Sequence, residues 1–216
     1  MRPKLVSGHQ PTLFGTAGYW SKIAVADQHL VTSCAPFRRH DKLASAALIG
    51  GGHIAVPLTD GDFIHDVSIG GGLDKTVKSL KMTFGAKRMP YRYRLEPILV
   101  AFEVAKEGDS YVSLWLKVAM ATLRLCNLDT QLCITASGDA GADTQSRLEN
   151  RVRHAVTGPM VYVVGPGALD YVDRRSAVPM ALHRMQDPQP YPFLYDLVML
   201  DDPVEALRSY TLESVR

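Results

Sequence analysis

A chain of 216 residues with 46% hydrophobic and 21% charged content has the composition of an ordinary globular domain, which excludes collagen-like, low-complexity and disordered classes. Its 24 basic and 22 acidic residues leave a net charge of +2, too small for the whole-molecule field to argue for nucleic acid or an anionic membrane as partner. Three cysteines, Cys34, Cys126 and Cys133, lack the close repeated spacing of a zinc site or a disulfide framework, so a reducing compartment, the cytoplasm, is expected and a dedicated metal site is not.

At the start, Met1-Arg2-Pro3-Lys4 is followed only by Leu5-Val6 before polar residues, which is not the apolar core of a signal peptide. Apolar runs elsewhere are broken by charge short of the roughly 18 to 20 residues that a membrane span requires. Leu5-Val6 reads as a first strand, and Tyr19, Ile23 and Ala26 recur at helical spacing over residues 16–27. Residues 29–33 restore a strand. The basic connection Pro36-Phe37-Arg38-Arg39-His40-Asp41-Lys42 leads to strands at 43–49 and 54–58, joined by Gly50-Gly51-Gly52. Three glycines accept positive φ at little cost and interrupt both helix and strand, so a turn is expected there. Gly70-Gly71-Gly72 after the alternating Val67-Ser68-Ile69 reads the same way, because neither triplet has the spacing of a phosphate-cradling glycine motif.

From Leu73 the period becomes helical. Val77, Leu80 and Phe84 mark one helix, and Leu95, Ile98, Leu99 and Phe102 fall at i, i+3, i+4 and i+7. Pro97 suits a first turn, which starts that second helix near Glu96. Residues 112–125 form a long apolar helix in which Trp115 and Met120 are read as core. Leu132-Cys133-Ile134 is a buried-strand candidate closed by Ser137-Gly138-Asp139, and residues 143–156 form a helix with Leu148, Val152 and Val156 on one face and Arg147, Arg151 and Arg153 elsewhere. Met160-Val161-Tyr162-Val163-Val164 is the clearest strand, continuous and β-branched as in a sheet covered on both faces. Helical segments at 194–200 and 204–207 follow a proline-rich loop. Strands alternating with helices predict a single α/β domain over residues 1–216: a mixed, largely parallel sheet, helices packed on it, a helical middle segment, and antiparallel pairing around the glycine turns.

Two segments carry the chemistry. Ser7-Gly8-His9-Gln10-Pro11-Thr12-Leu13-Phe14 brings a histidine to a strand end, and Gly18-Tyr19-Trp20-Ser21-Lys22-Ile23-Ala24 with Asp27 follows it. Downstream, Val164-Gly165-Pro166-Gly167-Ala168-Leu169-Asp170-Tyr171-Val172-Asp173 closes the strongest strand. In residue order the first segment resembles the opening of the WbqC-like family, and the second resembles that family's Gly-Pro-Gly and Asp-Tyr-Leu-Asp region. The chain differs from the family's pattern at Ser33-Cys34, where acidic residues are usual, and at Ser45-Ala46-Ala47, where an Asn/Arg-rich run is usual. The resemblance implies an enzyme of sugar or nucleotide modification associated with surface polysaccharide. Group transfer to an amino or hydroxyl acceptor on a nucleotide-linked sugar is the expected reaction. A modified nucleic-acid base, in a bacteriophage setting, and a diverged ligand-binding relative are the alternatives. No cofactor and no oligomeric state is specified.

His9 is a candidate acid or base, since a neutral imidazole both takes and gives a proton near pH 7. Gln10, Lys22 and Asp27 complete the catalytic candidates, although Lys22 and Asp27, five apart on a helix, need not pair. Arg38, Arg39 and Lys42 are candidate phosphate contacts, as arginine suits bidentate anion binding, and a solvated charged loop is the plainer alternative. Gly165 and Gly167 would let backbone N–H groups approach an anion, with Asp170, Tyr171 and Asp173 near the same rim. Cys34 beside Arg38, Arg39 and His40 is a weaker nucleophile candidate. These roles require His9, Lys22 and the Gly165 loop to share one cleft.

Overall fold

The structure is a computed structural model that describes residues 2–38, 42–135, 144–170, 176–186 and 189–215. Strand β1 (Lys4–His9) leads through helix α1 (Ala17–Ala24) to β2 (Gln28–Thr32), and the hairpin β3 (Ser45–Ala47) and β4 (His53–Ala55) follows. A helical middle then runs through α2 (Leu73–Phe84), α3 (Glu96–Glu103) and α4 (Tyr111–Leu125). Next come β5 (Gln131–Thr135), α5 (Thr144–Ala155), β6 (Met160–Val164), β7 (Met180–Met185), α6 (Leu194–Met199), α7 (Pro203–Arg208) and β8 (Tyr210–Val215). The fold is α/β.

The main sheet has the order β5-β2-β1-β6-β7-β8, parallel throughout except for the antiparallel β7–β8 pair. Parallel neighbours need crossovers, and helix α1 supplies the one from β1 to β2. β1 is central, with Ser7 opposite His29 on one side and Val163 on the other. Side chains alternate across such a strand. Val6, Leu30, Tyr162, Val164 and Leu182 pack with Leu148 and Val152 of α5 and with Val156 just after it. On the other side Val31 belongs to a larger core with Trp20 and Ile23 of α1 and Leu114, Trp115 and Val118 of α4.

The expected glycine turn joins β3 to β4, with φ of +83°, +98° and +91° at Gly50, Gly51 and Gly52, a backbone region costly for any side chain with a Cβ. Helix α3 begins at Glu96 with Pro97 in its first turn, as the sequence predicts. Three local expectations are corrected. Met120 is 47% exposed, on the outer face of α4, whereas Trp115 is fully buried. Ile134 is 48% exposed, on β5, which stands at the edge of the described sheet beside β2. Val67-Ser68-Ile69 makes only isolated bridges, Leu58 with Ile69 and Ser68 with Ser110. Among the described residues no helix is long and apolar enough to cross a membrane.

Candidate functional site

The carboxyl ends of β1, β2 and β6 open into a cleft of two lobes, where ligands bind in open α/β sheets. One lobe, of about 490 Å³, lies beneath α5 and is lined by His9, Gln10, Lys22, Thr32, Arg147, Arg151, Tyr162, Gly165 and Gly167. The other, of about 710 Å³, reaches toward β3 and β7 and includes Thr12, Phe14, Thr16, Tyr19, Lys42, Ala46, Pro166 and His183. His9, Lys22 and Gly165 line both lobes and stand on the divide. No aspartate or glutamate lines either lobe among the described residues.

His9 is delivered by the last position of β1, and its ring is open to the cleft. Its Nδ1 lies 3.1 Å from the Gln10 carbonyl oxygen. A carbonyl only accepts, so Nδ1 carries the proton and Nε2 keeps its lone pair. The surrounding protein and then the positive charge of Lys22 push the His9 pKa down to about 4, so the ring is neutral at pH 7. Tyr19 packs edge-on against it at 5.4 Å.

The loop after His9 is held from several sides. The Thr12 N–H donates to Tyr19 Oη at 3.2 Å, and Trp115 Nε1 donates to the Thr12 carbonyl at 3.2 Å. Tyr111 Oη lies 2.7 Å from the carbonyl oxygens of both Pro11 and Leu43. The two α4 aromatics are therefore core residues that also anchor the His9-Gln10 loop.

Lys22 projects from α1 and forms no ion pair with a described residue. Burial lowers its pKa to about 8, which leaves it mostly protonated at pH 7. Its charge disfavours protonation of three histidines, His9, His29 and His183. His29 meets Ser7 Oγ through Nδ1 at 2.7 Å and leaves its buried Nε2 without a partner. Ser21 Oγ donates to the Leu207 carbonyl at 2.6 Å, so it accepts from His183 Nε2 at 2.9 Å. A layer of neutral histidines thus lies close to one cation.

The expected residues separate. His9, Gln10, Lys22, Gly165 and Gly167 converge, and Lys42 joins them in the second lobe. Asp27 lies at the opposite end of the strands, where it pairs with Arg2 at 2.6 Å and accepts from the Leu5 N–H at 2.8 Å. That placement corrects the grouping of Asp27 with the catalytic candidates: it precedes β2, whereas the cleft lies beyond the end of that strand. Arg38 is exposed and lines neither lobe, and Cys34 is buried outside both. Arg39, His40, Tyr171 and Asp173 lie outside the described residues. Arg147, Arg151, Thr32 and Tyr162 are cleft residues that the sequence did not single out. Compared with known proteins, the chain matches no protein-family model, no curated protein and no solved structure.

Proposed function

We propose that the cleft is the active site of a group-transfer enzyme, one that moves an acyl or aminoacyl group onto an amino or hydroxyl acceptor of a nucleotide-linked sugar. The observation that carries this reading is the convergence of a neutral histidine, His9, and a lysine with no ion pair among the described residues, Lys22, on the divide between two lobes. Two lobes suit two reactants. The resemblance of the His-Gln-Pro segment to WbqC-like proteins supports the same class of substrate, and three cysteines that form no disulfide suit a cytoplasmic setting.

In this reading the acceptor nitrogen or oxygen attacks the donor carbonyl while His9 Nε2 takes its proton. Lys22, cationic at pH 7, faces the developing oxyanion. Collapse of the tetrahedral intermediate expels the leaving group, which His9 protonates. Bound substrate anions offset the field of Lys22, which raises the basicity of His9 from its low resting value.

The test is mass-spectrometric detection of transfer from activated acyl donors to nucleotide-linked amino sugars. His9→Gln retains a hydrogen-bonding side chain that does not titrate near neutrality and is expected to lower turnover by about 100-fold or more. Undiminished transfer by a folded His9→Gln protein removes His9 from proton transfer. Binding of such substrates without transfer by the native protein favours a ligand-binding role instead.

A further inference from the structure

We propose that the lobe beneath α5 is a phosphate subsite, in which Arg147 and Arg151 hold the phosphate or diphosphate of a small-molecule substrate beside Lys22. The inference rests on the group-transfer reading for its reaction, and adds to it the chemical class and orientation of the substrate.

Arg147 and Arg151 are four residues apart, so they stack on one side of α5 one turn apart. Leu148, between them, turns into the core with Val152. Arg151 is braced across the lobe by a 3.0 Å hydrogen bond from Nη1 to Thr32 Oγ1 on β2. Arg147 Nε is buried and has no hydrogen-bond partner. A guanidinium N–H left unmade in a buried place carries a desolvation cost that an incoming oxyanion would remove.

The charge distribution points the same way. Arg147, Arg151 and Lys22 line this lobe with no carboxylate among the described residues. Glu149, the acid closest to them on α5, is engaged elsewhere: Ser176 Oγ donates to it at 2.7 Å and Arg153 lies 3.6 Å away. Arg147 also occupies the first turn of α5, which contains no acid. The helix dipole favours anions at that end. A cluster of three cations suits a phosphate or diphosphate better than a single carboxylate. The volume of about 490 Å³ exceeds what a free phosphate fills, and Leu148, Val164 and Ala168 offer apolar walls to the remainder of an ester.

The experiment is calorimetric titration of the full chain with inorganic pyrophosphate. Binding is expected, weakening as salt is added, since the contacts are partly open to solvent. Arg147→Gln is expected to weaken it by about tenfold or more, the scale of a lost charge-assisted hydrogen bond. Arg147→Lys, which keeps the charge and the aliphatic stem, is expected to weaken it less, and guards against a folding defect in the glutamine variant. Arg38→Gln, outside the cleft, is expected to bind as the native chain does. Thermal melts accompany each variant. Absence of pyrophosphate binding, or equal binding by a folded Arg147→Gln protein, overturns the subsite. Arg147-dependent binding of a single-stranded oligonucleotide without a terminal phosphate, in the absence of pyrophosphate binding, also overturns it and assigns the lobe to a nucleic-acid backbone. Pyrophosphate binding is read without turnover, so failure of the subsite is separable from failure of transfer by His9.

Discussion

Lys22 adds to the burial that keeps the surrounding histidines neutral, and its charge has no counter-ion among the described residues. Holding that ammonium in a half-buried place costs stability, and the sign follows from its pKa falling from 10.5 to about 8. Between those values the unfolded chain binds more protons than the folded one, so stability rises with pH across that window. Lys22→Met is therefore expected to stabilise the fold at pH 7 by about 1 to 3 kcal/mol, with the gain shrinking toward pH 10. Denaturant unfolding at the two pH values checks this; an equal gain at both would show that charge burial is not its cause. His9, Gln10 and Lys22 were legible in the sequence because a strand end and the following helix bring them together locally. Arg147 and Arg151 were not, because helical periodicity sorts residues into buried and unburied faces and does not tell a solvated flank from the wall of a cleft.

At the scale of elements, β1 approaches its neighbours closely enough to favour glycine at position 8. A Cβ there would lie 2.5 Å from Tyr162 Oη and 3.3 Å from the Leu30 carbonyl oxygen. The first contact is with the tip of a side chain, the second with backbone, so only the first is readily relieved. Gly8→Ala is expected to cost about 1 to 3 kcal/mol, the usual range for overpacking. Adding Tyr162→Phe removes the hydroxyl it meets and is expected to recover part of the loss. A double-mutant cycle by thermal unfolding measures that coupling; strictly additive effects would mean the strain lies elsewhere. Strands β1, β2 and β6 and helices α2 to α5 were visible from periodicity, and α3 begins where Pro97 requires. Strand β8 was missed, since an antiparallel edge strand exposed along most of its length has little apolar alternation to reveal it. Its partner β7 supplies the pairing that makes Tyr210–Val215 a strand.

For the molecule as a whole, the neutral histidine layer predicts an acid limit. Burial is the leading cause that lowers His29 well below 6.5 and takes His183 to about 4. Their contribution to stability is present above pH 6.5, where both folded and unfolded forms are neutral. It is lost as pH falls toward 4, because the unfolded chain takes up protons that the folded one refuses. Unfolding free energy is expected to fall steadily between pH 6.5 and 4, and His183→Gln to flatten that slope. A slope unchanged by the substitution would assign the acid sensitivity to other groups.

The sequence by itself determined the α/β class, the parallel core around a β-branched strand, the helical middle and the glycine hairpin. Those features follow from local period and from backbone freedom, which act over a few residues. Only the tertiary structure decided which charges face the cleft. It took Asp27 to the far end of the sheet, left Arg38 outside, and brought Arg147 and Arg151 beside His9, more than a hundred residues away. The physical reason is that strand order, here β5-β2-β1-β6-β7-β8, is set by the packing of whole faces against one another. Two side chains become neighbours at a strand end only after that packing is chosen.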